Sequence, residues 1–159
     1  MGAVIPPPAP VAFLTGGFMS RYINTDGPGK RRSHLMRTCA ELLRRLSQKS
    51  AIDTEAKDML AMMVFCLREI DQGIDESSRA WEKRDYWMKS EEFRRKWSWA
   101  GRMADELAAL IYDERWHDLP TAMLQLLPYF AEFKINKFTR AESLWTNAYM
   151  QLIAEKPGR

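Results

Sequence analysis

From about residue 31 to the end of the chain, apolar side chains recur at spacings of three and four residues. One such stripe is formed by Leu35, Cys39, Leu42 and Leu46. That spacing places side chains on one face of a helix, and no segment shows the sustained two-residue alternation of a half-buried strand. A chain of 159 residues can bury a core without disulfides or metal. The pattern therefore predicts an all-α fold, a single compact bundle.

We expect five or six helices in this bundle. Their predicted bounds are about 31–49, 54–72, 76–89, 91–116, 119–133 and 139–154. The bounds rest on caps and breakers, namely Asp53, Gly73, Ser90, Pro128 and the capping box from Thr139 to Glu142. Short polar side chains satisfy free N–H groups at helix starts, and proline removes a backbone donor.

The sequence predicts two regions of different character. Residues 1–29 are expected to form an irregular Pro/Gly-rich arm, and residues 30–156 the helical bundle domain. Residues 1–20 carry no charge, but their prolines and glycines argue against a membrane span, and a positively charged leader region is lacking. We therefore expect no transmembrane segment and a cytoplasmic location.

Tryptophan is concentrated in the middle of the chain, where five of the six lie between Trp81 and Trp116. With about 100° per residue, the fourth predicted helix has two apolar stripes. Trp97 belongs to the first stripe, whereas Trp99 and Met103 belong to the second. The second predicted helix also carries apolar residues on two faces. Such helices are either buried centrally or keep a contact face.

Two interpretations of the second stripe remain open. Short flanking helices could cover it, or part of the Trp/Met surface could stay exposed for a partner, since interfaces favour Trp, Tyr, Met and Arg. The candidate contact residues are Arg84, Tyr86, Trp87, Arg94, Arg95, Trp99 and Met103. The predicted function is that of a non-catalytic adaptor or regulatory subunit that binds a protein partner or a second copy of itself.

No linear motif supports catalysis, a cofactor or a metal. Glu114 and His117 have the Glu-x-x-His spacing of helical metal sites, but the chain contains only two histidines. The segment from Gly27 to Lys30 lacks the remaining residues of a phosphate-binding loop. We therefore predict no catalytic, cofactor-binding or metal-binding residues. An enzyme stays open, because carboxylates and arginines can meet across helices without a linear motif.

Two further functions compete with the adaptor hypothesis. The first is nucleic-acid binding by the basic first helix, since residues 1–50 carry eight Lys/Arg against two Asp/Glu. Glu41 lies four residues from both Arg37 and Arg45, which favours local ion pairs instead. The second is a pocket between helices for an apolar or aromatic ligand. Cys39 and Cys66 are expected to be buried as small hydrophobic residues rather than to form a disulfide framework.

Overall fold

The computed structural model describes residues 27–158. By its contacts the chain divides into residues 1–31 and residues 32–159, and the packing described below lies within the second unit. The described residues form five α-helices and three short 3₁₀ helices, without a strand. The predicted all-α class is confirmed. The predicted arm, residues 1–29, lies almost entirely outside the described residues.

The bounds of the helices are as follows. The α-helices are α1 (Pro28–Ser47), α2 (Thr54–Glu82), α3 (Trp87–Tyr112), α4 (Leu119–Leu126) and α5 (Ala148–Ala154). The 3₁₀ helices lie at Trp116–Asp118, Leu127–Phe130 and Glu142–Leu144. Pro28 is the first residue of α1, where its missing N–H costs nothing.

Helix α2 occupies the centre of the fold. It packs along α3 and also against α5, and every residue from Met59 to Val64 is buried. This central position explains why its sequence is apolar on two faces. The predicted N-cap is confirmed, because the Asp53 carboxylate accepts a hydrogen bond of 2.8 Å from the Ala56 amide.

The predicted break near Gly73 is wrong. Helix α2 continues through Gly73 to Glu82, so the separate helix expected at 76–89 does not exist. A mid-helix glycine costs about 1 kcal/mol, which packing along a neighbouring helix readily offsets. Asp75 lies within α2 and pairs with Arg79 at 3.0 Å one turn further along.

The turn between α2 and α3 lies at Asp85, whose backbone is left-handed (φ 64°). The Tyr86 amide donates to the Trp81 carbonyl at 2.9 Å, which is the hydrogen bond of a Schellman C-cap. Helix α3 then begins at Trp87, not at 91. Ser90 is therefore not a cap, and its hydroxyl donates to the Glu82 carboxylate at 2.5 Å.

The C-terminal third is less helical than predicted. Helix α4 ends at Leu126, and the chain continues through Pro128 as a 3₁₀ helix. The predicted capping box does not form, because the hydroxyl and amide of Thr139 donate to the buried Glu41 carboxylate at 2.5 and 2.8 Å. Only a 3₁₀ turn follows, and α5 begins at Ala148.

Candidate interaction surface

Three consecutive large side chains are exposed where α2 turns into α3. We call residues 83–89 the corner. Within it, Tyr86, Trp87 and Met88 are 54%, 60% and 86% exposed. The backbone is fixed there by hydrogen bonds from Arg84 and Tyr86 to the Trp81 carbonyl, at 3.0 and 2.9 Å. Three consecutive large apolar or aromatic side chains therefore stand in solvent on a defined backbone.

The corner is also basic. Lys83, Arg84 and Lys89 are exposed, and Asp85 is its single acidic residue. Within residues 27–158, Lys83 and Arg84 take part in no ion pair. The Lys89 ammonium lies 5.7 Å from the Trp81 ring centroid. This combination of aromatic area and unpaired positive charge suits a partner that is apolar and acidic.

Arg95 extends the corner along α3. It lies seven residues after Met88, and residues at that spacing share one helix face. Arg95 is exposed and, in the part of the chain that the structure describes, forms no ion pair, although Glu91 precedes it by four residues. The candidate surface is thus Arg84, Tyr86, Trp87 and Arg95, together with Met88.

The other three predicted contact residues contact neighbours within the fold. Arg94 lies 2.7 Å from the Asp75 carboxylate and 3.4 Å from that of Glu82, so it holds α3 to α2. Trp99 is 7% exposed and Met103 is 1% exposed. The structure thus gives these three residues internal contacts, whereas the other four predicted residues are exposed.

The covering of Trp99 comes from the segment after α4. The Tyr129 ring stacks on the Trp99 ring at 4.1 Å between centroids and 5° between planes. Phe130 meets the same indole edge-on at 5.6 Å. The second apolar stripe of α3 is therefore covered by a flanking element at these positions, as one of the two interpretations required.

Sequence reasoning missed Met88 and the outer face of α4. Residues 119–131 contain no charged residue, and this was the available signal. One side of the segment is buried through Leu126 and Phe130, whereas Leu124 and Leu127 remain exposed. The segment covers α3 with one face and leaves apolar area on the other.

A polar cleft of about 610 Å³ lies between α2 and α3. Its charged lining consists of Arg68, Asp71, Asp75, Arg94, Arg102 and Asp105. The arginines are engaged by carboxylates, since Arg68 meets Glu155 at 2.9 Å and Arg102 approaches Glu106 at 4.0 Å. Burial raises the pKa of Asp71, and the negative charges of Asp105 and Asp75 raise it further.

The cleft offers little of what catalysis requires. No histidine or cysteine lines it, and its one hydroxyl, on Ser98, donates to the Arg95 carbonyl at 3.2 Å. Across residues 27–158, no group of three His, Cys, Asp or Glu side chains is placed to hold a metal ion. His117 is exposed and lies 3.5 Å from the Asp118 carboxylate.

The basic residues of α1 are largely engaged within the fold. The Arg32 guanidinium lies over the Phe93 and Trp97 rings at 5.0 and 5.2 Å. Arg37 pairs with Glu41 at 2.9 Å, and Arg45 lies 4.1 Å over the Phe138 ring. Arg32, Arg37 and Arg45 of the basic first helix are thus used for contacts within the fold.

None of the helices among the described residues is long and apolar enough to cross a bilayer. A comparison with models of known protein families finds no match to the chain. Comparisons with curated proteins and with solved structures likewise find no significant match.

Proposed function

We propose that this protein is a non-catalytic adaptor or regulatory subunit that docks onto a partner protein through the corner. The observation that carries the proposal is the exposure of Tyr86, Trp87 and Met88 on one fixed turn. Soluble proteins rarely leave neighbouring large apolar side chains in water unless a partner covers them. Tyr and Trp are also the side chains that most often dominate binding energy at interfaces.

The partner is inferred from the chemistry of the corner. Aromatic rings and Met88 fit an apolar pocket, while Lys83, Arg84 and Arg95 fit an acidic rim. We therefore propose a protein surface with an apolar depression bordered by Asp or Glu. A cytoplasmic location belongs to the same proposal.

The competing functions have weaker support. Nucleic-acid binding loses Arg32, Arg37 and Arg45 to internal contacts. An apolar ligand would need an apolar cavity, whereas the cleft between α2 and α3 is lined by charged side chains. Catalysis in that cleft would lack a paired nucleophile and base.

The test uses Trp87 as the anchor. A photoreactive amino acid at position 87, introduced in the native host cells, would crosslink the partner and identify it. The affinity of the purified partner is then measured by calorimetry for the wild type and for Trp87→Ala. Loss of a central aromatic anchor costs about 2 kcal/mol or more. We therefore expect at least about a 30-fold weaker Kd, with an unchanged thermal midpoint.

Met150→Ala is the matched control, because Met150 is also exposed but lies on α5. This variant is expected to bind like the wild type. Sedimentation of the purified chain identifies the case in which the partner is a second copy. An unchanged Kd for Trp87→Ala would contradict docking through the corner. Binding to anionic lipid vesicles in place of protein would contradict the partner class.

A further inference from the structure

One carboxylate oxygen joins the end of α2 to the start of α3 behind the corner. The Ser90 hydroxyl donates to the Glu82 carboxylate at 2.5 Å, and the Arg94 guanidinium lies 3.4 Å from the same oxygen. Glu82 is the last residue of α2, whereas Ser90 and Arg94 lie near the start of α3. We call these three residues the Glu82 network.

The network is less exposed than the corner in front of it. Ser90 is 1% exposed and the Glu82 side chain is 24% exposed, whereas every residue from Lys83 to Lys89 is exposed. A hydrogen bond to a charged acceptor is stronger than one between neutral groups, and burial shields it from competing water. The Glu82–Ser90 bond therefore fixes the spacing between the two helix ends that frame the corner.

Further contacts beside the network act on the same turn. The Trp81 ring meets the Phe93 ring edge-on at 4.8 Å between centroids. The Tyr86 amide donates to the Trp81 carbonyl at 2.9 Å, and the Ser90 amide donates to the Tyr86 carbonyl at 3.0 Å. The backbone of Tyr86 is thus held from both sides, by the end of α2 and by the start of α3.

We propose that Glu82 and Ser90 are positioning residues of the docking surface, because their hydrogen bond holds the corner in its binding conformation before a partner arrives. This inference rests on the proposed function. Ordering a flexible segment during binding reduces affinity, and a surface that already has its bound geometry avoids this loss. The Ser90 hydroxyl therefore increases affinity, although Ser90 is too buried to contact a partner.

Ser90→Ala tests the proposal, since it removes the hydroxyl and adds no volume. Hydrogen exchange of the Tyr86 and Ser90 amides is measured by NMR on the full-length chain alone. We expect both amides to exchange about tenfold faster, and amides in the centre of α2 to change less. The Kd for the partner crosslinked at position 87, measured well below the thermal midpoint, should weaken at least about threefold.

Ser98→Ala is the matched control, because it removes an exposed hydroxyl of the same helix that donates to the Arg95 carbonyl. It should match the wild type in exchange and in affinity. If Ser90→Ala fails to fold, Glu82→Gln takes its place, since it weakens the same bond and keeps the size of the side chain.

Unchanged exchange of the two corner amides in Ser90→Ala would overturn the proposal. So would faster exchange together with a wild-type Kd, provided that Trp87→Ala weakens binding. If Trp87→Ala also leaves the Kd unchanged, the corner is not the docking surface, and the proposed function fails together with this inference.

Discussion

Glu41 is a single buried carboxylate that ties the irregular segment before α5 to α1. It is 1% exposed and accepts hydrogen bonds from the Thr139 amide and hydroxyl, the Arg140 amide and the Arg37 guanidinium. Burial alone would raise the pKa of Glu41. The hydrogen bonds from Thr139, Arg37 and Arg140 outweigh burial and lower that pKa from 4.5 to about 2.

The pKa of Glu41 predicts how stability changes in acid. A group whose pKa is lowered by folding stabilises the fold above its unfolded pKa and loses this effect as the pH falls through its folded pKa. We expect the free energy of unfolding to drop by roughly 3 kcal/mol between about pH 5 and pH 2 from this group alone. Urea titrations at several pH values, on the wild type and on Glu41→Gln, measure it.

Glu41→Gln should be less stable at pH 7 by about 2–3 kcal/mol, because the amide cannot accept from all of these donors. The difference from the wild type should shrink as the pH approaches 2. Glu142→Gln, at an exposed position, is the control and should follow the wild type throughout. A Glu41→Gln deficit that is constant with pH would contradict the role of the charge.

Some contacts of Glu41 could be predicted from the sequence, and others could not. The ion pair with Arg37 was predictable, because the two residues are four apart on one helix. The expected pair with Arg45 does not form, and Arg45 stacks on Phe138 instead. Thr139 lies 98 residues away from Glu41, and no local spacing encodes a contact of that separation.

At the scale of elements, helices α2 and α3 end in the same way without glycine. Asp85 and Glu114 hold left-handed backbone at φ 64° and 53°, and the following amides donate to Trp81 and Leu110. This conformation costs a residue with a Cβ atom about 1 kcal/mol or more, although Asp tolerates it better than Glu. The backbone at both helix ends is therefore strained, and glycine at either position would relieve that strain.

Glu114→Gly is expected to stabilise the protein by about 0.5–1 kcal/mol, because glycine adopts the left-handed conformation without strain. The midpoint of urea unfolding should rise with an unchanged slope. Glu114→Ala is the matched control, since it removes the same carboxylate but keeps the Cβ atom, and it should gain nothing. Equal midpoints for the two variants would show that the backbone of Glu114 is not strained.

The same helix ends explain why element bounds were predicted less well than element type. The helical type of α2 and α3 was predictable, because the buried apolar residues of each recur at spacings of three and four. The predicted boundary between the two helices was wrong, because glycine is a typical helix end and aspartate is not. The structure places Gly73 inside α2 and the turn at Asp85. Packing along α3 overrides the local preference at Gly73, and a left-handed Asp85 has no sequence signature as clear as glycine.

At the scale of the whole molecule, the aromatic rings of α2 and α3 differ in how they are covered. The Tyr129 ring stacks on that of Trp99. Other rings are covered by cation–π contacts, since the Arg32 guanidinium lies over the Phe93 and Trp97 rings. The remainder stays exposed at the corner. The high content of aromatic residues can be read from the sequence. Which of these rings stay exposed depends on contacts between segments far apart in sequence.

Two tryptophans therefore separate stability from recognition. Trp99→Ala should lower the free energy of unfolding by about 3–5 kcal/mol, because it removes a buried ring that stacks on Tyr129 and meets Phe130. Trp87→Ala should change it by no more than about 0.5 kcal/mol, since Trp87 is 60% exposed. Urea unfolding followed by circular dichroism measures both variants under identical conditions.

The two variants also test whether Trp99 stabilises the fold while Trp87 is free to contact a partner. A wild-type midpoint for Trp99→Ala would mean that the segment containing Tyr129 does not rest on α3, which would return Trp99 to the contact surface. A loss above about 1 kcal/mol for Trp87→Ala would mean that the corner supports the fold, since exposed substitutions seldom cost that much. A weaker affinity of Trp87→Ala can be assigned to recognition only when the unfolding curve of this variant matches that of the wild type.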